Sequence, residues 1–353
     1  MVVDHYVTLN PVESGEYIMA HAKDVKVDTE KCKEVATMVM DAVLDGTIAD
    51  IDYTANPLHP AGLTDEQALN WVFLLDTLNF SFWPEDGEEY NVKYENKTET
   101  GYLAMCAAFC KAHKAGIPIT TTEWMVAVDY ELLDYMLKGD SGHSIPMLMD
   151  RVHALRQAAE WLHFNHKGQF MNIVKASGGR AQTLLRFIMM IEPFRDVTEY
   201  KGRRVSFLKR AQILISDTVG VLKNSPTNAH LVAFPDLNTL TMFADYRVPQ
   251  ALCYLECLEY SEELLEQLQT SQRLQYGSER ECEIRGASIF AVQKIYEEIL
   301  RLRAAGPYKE VDFAEKRAVL PIDIDVWLWQ FRREHAEDVE ALVPFHRTRC
   351  IYY

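Results

Sequence analysis

The chain has 353 residues, 48% of them hydrophobic and 25% charged, enough for one large domain or two intimate ones. Sixteen Gly and 13 Pro are too few for a long disordered or collagen-like region. Fifty-two acidic against 36 basic residues leave a net charge of −16, which opposes a nucleic-acid backbone and excludes an intact tRNA or duplex as a tight ligand; a mononucleotide needs only a local cation.

Helical periodicity dominates from the first third onward. Only Glu16–Met19 or Val25–Val27 carry a strand-like pattern, enough for one small hairpin near the N-terminus. Helices are predicted over 64–80, 101–115, 121–138, 146–164, 178–192, 206–223, 249–258, 261–275 and 323–339. Thr64-x-x-Gln67 and Ser278-x-x-Glu281 read as capping boxes, in which side chains satisfy the unpaired amides of a first turn. After Ser278 a further helix buries Ile284, Ala287, Ser288, Ala291, Ile295 and Ile299, spaced by three and four, and stops near Ala305-Gly306-Pro307. Loops fall at 54–62, 84–100, 138–146, 223–235 and 305–321, none biased enough to be a linker, and no repeat of solenoid length appears. The expectation is an all-α chain forming a single compact domain over 1–353, with a subdomain over about 1–140 as the other division.

The seven cysteines lack a framework. Cys106/Cys110 and Cys253/Cys257 are four apart, a spacing that stacks small side chains on a helix face, and Cys-x-x-Cys does not occur. They read as reduced structural thiols in a reducing compartment, the cytoplasm. The N-terminus lacks a secretory signal and no run approaches ~18 apolar residues, so no membrane contact is expected. No dinucleotide-binding glycine motif, Walker loop, nucleophile elbow or His-Glu-x-x-His is present. His163 and His166 could share a metal, but two histidines in a helical stretch more often serve surface or core, so metal and cofactor are expected to be none.

Three segments stand out. Leu78 to Glu85 reads Leu-Asn-Phe-Ser-Phe-Trp-Pro-Glu. It is either a helix end tucked into the core or an aromatic wall for a planar base, with Asn79 reading base edges. Phe207 to Gln212, Phe-Leu-Lys-Arg-Ala-Gln, opens an apolar helix; an inward-facing Lys209 or Arg210 would need an anionic partner. In Leu240 to Gln250, Pro249 suits a first helical turn and Asp245 sits in the bend before it. Asp245 is then a cap, or a carboxylate in an apolar frame suited to a developing cation.

These strings, with the tail Pro344 to Tyr353, resemble the queuosine salvage protein family. The likeness extends to Ser14 to Val27 and to Tyr276 to Gly286, and so covers nearly the whole chain. The resemblance implies hydrolysis of the N-glycosidic bond of queuosine 5′-monophosphate, releasing queuine, and an all-helical fold related to helix-hairpin-helix DNA glycosylases. No glycine-rich hairpin of the DNA-glycosylase kind precedes Asp245. The resemblance makes Asp245 the catalytic carboxylate and places Lys209 in the same site, pairing with Asp245 or binding the 5′-phosphate. Phe80, Phe82 and Trp83 are expected to stack on the base; Asn79, Asp217 and Tyr246 to reach its edge; Arg247, Arg347 and Arg349 to approach the substrate, the last two at the phosphate. The protein is expected to act as a monomer on a small molecule, against the alternative of a non-catalytic helical module that binds a nucleotide or a partner.

Overall fold

A computed structural model describes residues 7–48, 56–305, 308 and 318–353. Parts of the loops expected at 54–62 and 305–321, including Gly306 and Pro307, lie outside the described residues. The chain forms two compact units, each drawn from separated stretches. The first comprises Met1–Asp50, Asp196–Lys209 and Asn238–Arg349, the second Ile51–Arg195, Arg210–Leu237 and Cys350–Tyr353.

In the first unit, α1 (Pro11–Met19) is closed by Asn10 and Glu13 in a capping box. Glu16–Met19 is therefore helical, because that box and Pro11 start a helix before any strand can form. Strand β1 (Val25–Val27) pairs antiparallel with Leu258–Tyr260, more than two hundred residues away, so the pairing is long-range. Helix α2 (Thr29–Leu44) starts on Asp28, whose side chain accepts from the Glu30 and Lys31 amides.

The second unit holds α3 (Asp65–Thr77), α4 (Gly101–Lys114), α5 (Thr122–Ala127), α6 (Tyr130–Leu137), α7 (Leu148–His166), α8 (Phe170–Ala176), α9 (Ala181–Ile188) and all but the first residue of α10 (Lys209–Leu222). The capping box expected at α3 is formed: Thr64 and Gln67 exchange side-chain hydrogen bonds with each other's amides. The helix expected over 121–138 is two, because Asp129 turns extended and caps the Leu132 amide. The hairpin β2 (Asn91–Tyr94) and β3 (Lys97–Thr100) lies in this unit, whereas β4 (Val197–Tyr200) and β5 (Arg203–Ser206) form a hairpin of the first. Lys201 and Gly202 both have positive φ at its turn, the geometry that suits a two-residue hairpin.

The first unit resumes with α11 (Val248–Tyr254), β6 (Leu258–Tyr260), α12 (Glu262–Gln269), α13 (Glu279–Ala305), α14 (Pro321–Glu334) and α15 (Ala336–Leu342). The stripe expected on α13 is fully buried from Ile284 to Ile299, and that helix packs on α1 and α2. At the α1 crossing Gly15 faces Gly286, where a Cβ on Gly286 would stand 2.6–2.8 Å from three carbons of Ile18. The expected Ser278–Glu281 box does not form. The Ser278 hydroxyl makes no hydrogen bond, since the Glu281 carboxylate is drawn to the Gly277 amide and Arg285. Mostly helical architecture agrees with the predicted class, but the described residues form three two-stranded ribbons where at most one small N-terminal hairpin is expected, because the hairpins 91–100 and 197–206 close locally. All seven cysteines are buried, and none is in a disulfide. No described helix is long and apolar enough to cross a membrane.

Candidate active site

In the first unit, residues 240–244 are buried and chain polarity changes abruptly at half-buried Asp245. Its Oδ1 accepts from the Arg247 amide at 2.8 Å and the Val248 amide at 2.9 Å. Both amides open α11, so the carboxylate sits where the helix presents unpaired N–H groups and its positive end. Among the described residues no donor reaches Oδ2. The expected capping role is thus met by one oxygen of the carboxylate.

A second carboxyl, which sequence reasoning did not single out, adjoins it. Asp325 lies on α14 at 5% exposure, and its Oδ1 accepts from the Phe243 amide at 2.9 Å. Burial holds this carboxyl well above the ordinary carboxylate range, and the negative charge of Asp245 pushes the same way. The Phe243 amide and the Lys209 cation oppose the shift and are outweighed. The two acids thus have different surroundings, Asp325 in the core and Asp245 half-buried at a helix start. A signal for Asp325 was available: it lies on the buried stripe Pro321–Ile322–Ile324–Leu328 of a helix, where an acid is costly unless used.

Lys209, the first residue of α10, is 6% exposed and close enough to act on Asp325. The structure therefore brings Lys209, Asp245 and Asp325 together. Tyr246 packs its ring 5.4 Å from that of Phe345, and the Arg247 guanidinium lies 4.2 Å from the centre of the Phe345 ring. Arg247 also pairs with Glu340 at 3.0 Å, as does Arg332 at 2.6 Å, so its charge is shared within the unit. Arg347 stands 5.6 Å from the Phe345 ring, and Arg349 is half-buried. Phe345 is a further residue that the sequence did not mark.

The second unit holds the remaining candidates. Phe80 is fully buried, its ring centre 4.3 Å from the Arg151 guanidinium and 5.0 Å from that of Arg210. Arg210, the inward-facing cation, donates to the carbonyls of Asp76, Thr77 and Pro193; backbone oxygens therefore help to satisfy a buried guanidinium. Arg151 holds the next carbonyls, Leu78, Phe80 and Ser81. Phe82 meets Tyr102 edge-on at 6.0 Å, and Trp83 is buried. Asn79 donates to Asp76 at 3.5 Å. Asp217 and Asp76 both act on the Cys106 thiol, which burial pushes well up. His163 sits 3.7 Å from Glu123, and no three metal-binding side chains converge among the described residues.

Comparison with known proteins identifies the family of the chain. The description of the queuosine salvage protein family matches residues 58–353. A bovine protein named queuosine 5′-phosphate N-glycosylase/hydrolase is 39% identical over 348 residues, 98% of this chain and 99% of its own. A fission-yeast protein of that name, from Schizosaccharomyces pombe, is 33% identical over 97% of this chain and 99% of its own. One from the bacterium Sphaerobacter thermophilus is 33% identical over 82% of each. With the family matched over most of its length, the chain belongs to the queuosine salvage proteins.

Proposed function

We propose that this protein hydrolyses the N-glycosidic bond of queuosine 5′-phosphate, releasing queuine for salvage. The observation that supports the reading is the acid pair: buried Asp325, whose carboxyl burial and the Asp245 charge hold well above the ordinary carboxylate range, beside half-buried Asp245. Cleavage builds positive charge at C1′ and O4′ of the ribose while the bonding electrons leave with the base. A 7-deazaguanine has carbon in place of N7, so the usual site for protonating a departing purine is missing. The base must instead be stabilised by a hydrogen-bond donor at its remaining heteroatoms. Asp325, in its protonated form, is that donor; Asp245 supplies the carboxylate that stabilises the oxocarbenium and accepts a proton from the attacking water. The C1′–N9 bond breaks, the departing base takes the Asp325 proton, water forms the C1′–O bond as its proton passes to Asp245, and the products are queuine and ribose 5-phosphate, the Asp245 proton returning to Asp325 through solvent.

Lys209 contributes its cation beside the acid pair, where it opposes the rise of the Asp325 carboxyl. Arg347 and Arg349 are the cations assigned to the 5′-phosphate. At net charge −16 the ligand is the free nucleotide, not intact tRNA, and the protein works as a cytoplasmic monomer. The test is direct: purified protein is incubated with queuosine 5′-monophosphate and free queuine is sought by mass spectrometry. Folded protein that releases no base would overturn the proposal, and release that stops after exhaustive chelation would show that a metal takes part.

A further inference from the structure

Lys209 and Asp245 reach the acid pair from stretches far apart in sequence, and one buried side chain touches the backbone or support of both. Arg285, on α13, is fully buried. Its Nε donates to the Ala244 carbonyl at 3.0 Å, one residue before Asp245. Its two terminal nitrogens grip the Asp196 carboxylate at 3.1 and 2.6 Å. Asp196 in turn brackets Leu208: its carbonyl accepts from the Phe207 amide at 3.1 Å, and its Oδ2 lies 3.5 Å from the Lys209 amide. Leu208 has φ of +54°, a left-handed conformation that a leucine holds only when its surroundings impose it. The Arg285 guanidinium also lies 4.1 Å from the centre of the Phe207 ring.

We propose that Arg285, acting with Asp196, is a positioning residue that sets where Asp245 and Lys209 stand relative to each other. The inference rests on the roles assigned to that pair in the proposed function. A planar fork with five donors in fixed directions suits the task, because it can hold a carbonyl and a carboxylate at once; an ammonium cannot reproduce that geometry. The local charge is also arranged for support. Glu281 adds a second carboxylate 3.3 Å from Arg285, and the Tyr276 hydroxyl donates to Asp196 at 3.1 Å. Arg285 and Asp196 are thus each held by one further partner, as expected of groups that must not move.

The experiment uses the full chain and queuosine 5′-monophosphate. Arg285→Lys keeps the charge and loses the fork. The expected result is kcat lower by about 30-fold or more with KM within about threefold of wild type, since misplaced catalytic groups weaken transition-state contacts more than ground-state binding. Combined with Asp245→Asn, it should add little to the loss that Asp245→Asn causes alone, because the two act as one unit. A purely structural Arg285 would give independent, additive losses, and that outcome, or an Arg285→Lys enzyme with unchanged kcat, overturns the inference. If Arg285→Lys does not fold, Asp196→Asn, which keeps shape and removes charge, takes its place in the same cycle with the same expectations. Wild-type turnover by Asp245→Asn alone would instead refute the assignment of Asp245; a large loss there with additivity in the cycle would refute the role of Arg285 only.

Discussion

Asp245 has two separable jobs, and two substitutions divide them. Asn at 245 retains an oxygen where Oδ1 accepts the Arg247 and Val248 amides at 2.8 and 2.9 Å, but it carries no charge. Turnover should fall by about a hundredfold or more, close to 2.7 kcal/mol of transition-state stabilisation at ~1.36 kcal/mol per decade. At the acid end of the pH range the melting midpoint should stay where it is, because Asn is as good a cap as Asp. Ala at 245 loses the cap as well, which costs about 1–2 kcal/mol. With an unfolding entropy of about 2.1 cal/mol/K per residue over 353 residues, that lowers the midpoint by roughly 1.5–3 °C. Removing the charge also acts on Asp325, whose carboxyl Asp245 helps to hold high. A raised carboxyl contributes stability that is full below its unfolded value near 4 and is lost as pH rises through the folded value. Asp245→Asn should therefore show a shallower loss of stability on the alkaline side. The assays are steady-state kinetics on the 5′-monophosphate and thermal melts from pH 5 to 9. An Asn variant that melts normally and turns over within a few-fold of wild type would refute the assignment, and one that melts as low as the Ala variant would show that the charge serves the fold.

Other consequences can be measured in parallel. Asp325→Asn fixes the neutral state that burial favours, so its melting midpoint should gain on wild type as pH rises from 5 to 9 while turnover drops; a pH-independent difference would contradict a raised Asp325. Burial, with Arg285 adding to it, pushes His346 down to about 3. A lowered histidine contributes stability that is full above about 6.5 and lost as pH falls toward the folded value, with a slope of up to ~1.4 kcal/mol per pH unit. His346→Gln should flatten that acid slope in urea titrations between pH 4 and 7, and an unchanged slope would count against it. Gly286→Ala puts a methyl into Ile18 at 2.6–2.8 Å; overpacking of about 1–3 kcal/mol outweighs the ~1 kcal/mol gained in helix propensity. Shortening the neighbour through Ile18→Val should recover part of the loss, and a stabilised Gly286→Ala would show that α1 shifts freely.

What could be read in the sequence was local. The α13 stripe, the Thr64 cap and the place of Asp245 before Pro249 depend on neighbours within a turn or two, and all three appear as expected. Helix α2 carried the same kind of signal, with Asp28 as cap and Cys32, Val35, Ala36, Val39, Met40 and Val43 as its buried stripe, and could have been read. The Lys201-Gly202 turn between alternating strands was likewise available. Other features depend on partners that no window contains. The Phe243 amide that meets Asp325 is 82 residues away, and the Thr77 carbonyl that meets Arg210 is 133 away. The aromatic run 80–83 had two equal readings, core or ligand wall. What surrounds Phe80, two guanidiniums brought in by α7 and α10, lies outside any such window.

The alternation of the chain between its two units has a consequence for biosynthesis. The second unit opens at Ile51 and takes in Cys350–Tyr353, where the Ser81 amide and hydroxyl meet the Tyr353 and Cys350 carbonyls. The first unit, begun earlier, waits for α13, against which α1 and α2 pack. A ribosome making this protein from its N-terminus therefore releases neither unit complete until nearly all of the chain has emerged. Early helices such as α1 and α2 must persist without the long helix that buries them, a period in which they are candidates for chaperone capture. No contiguous fragment contains one unit alone, so neither can be transplanted as a cassette by a single recombination event.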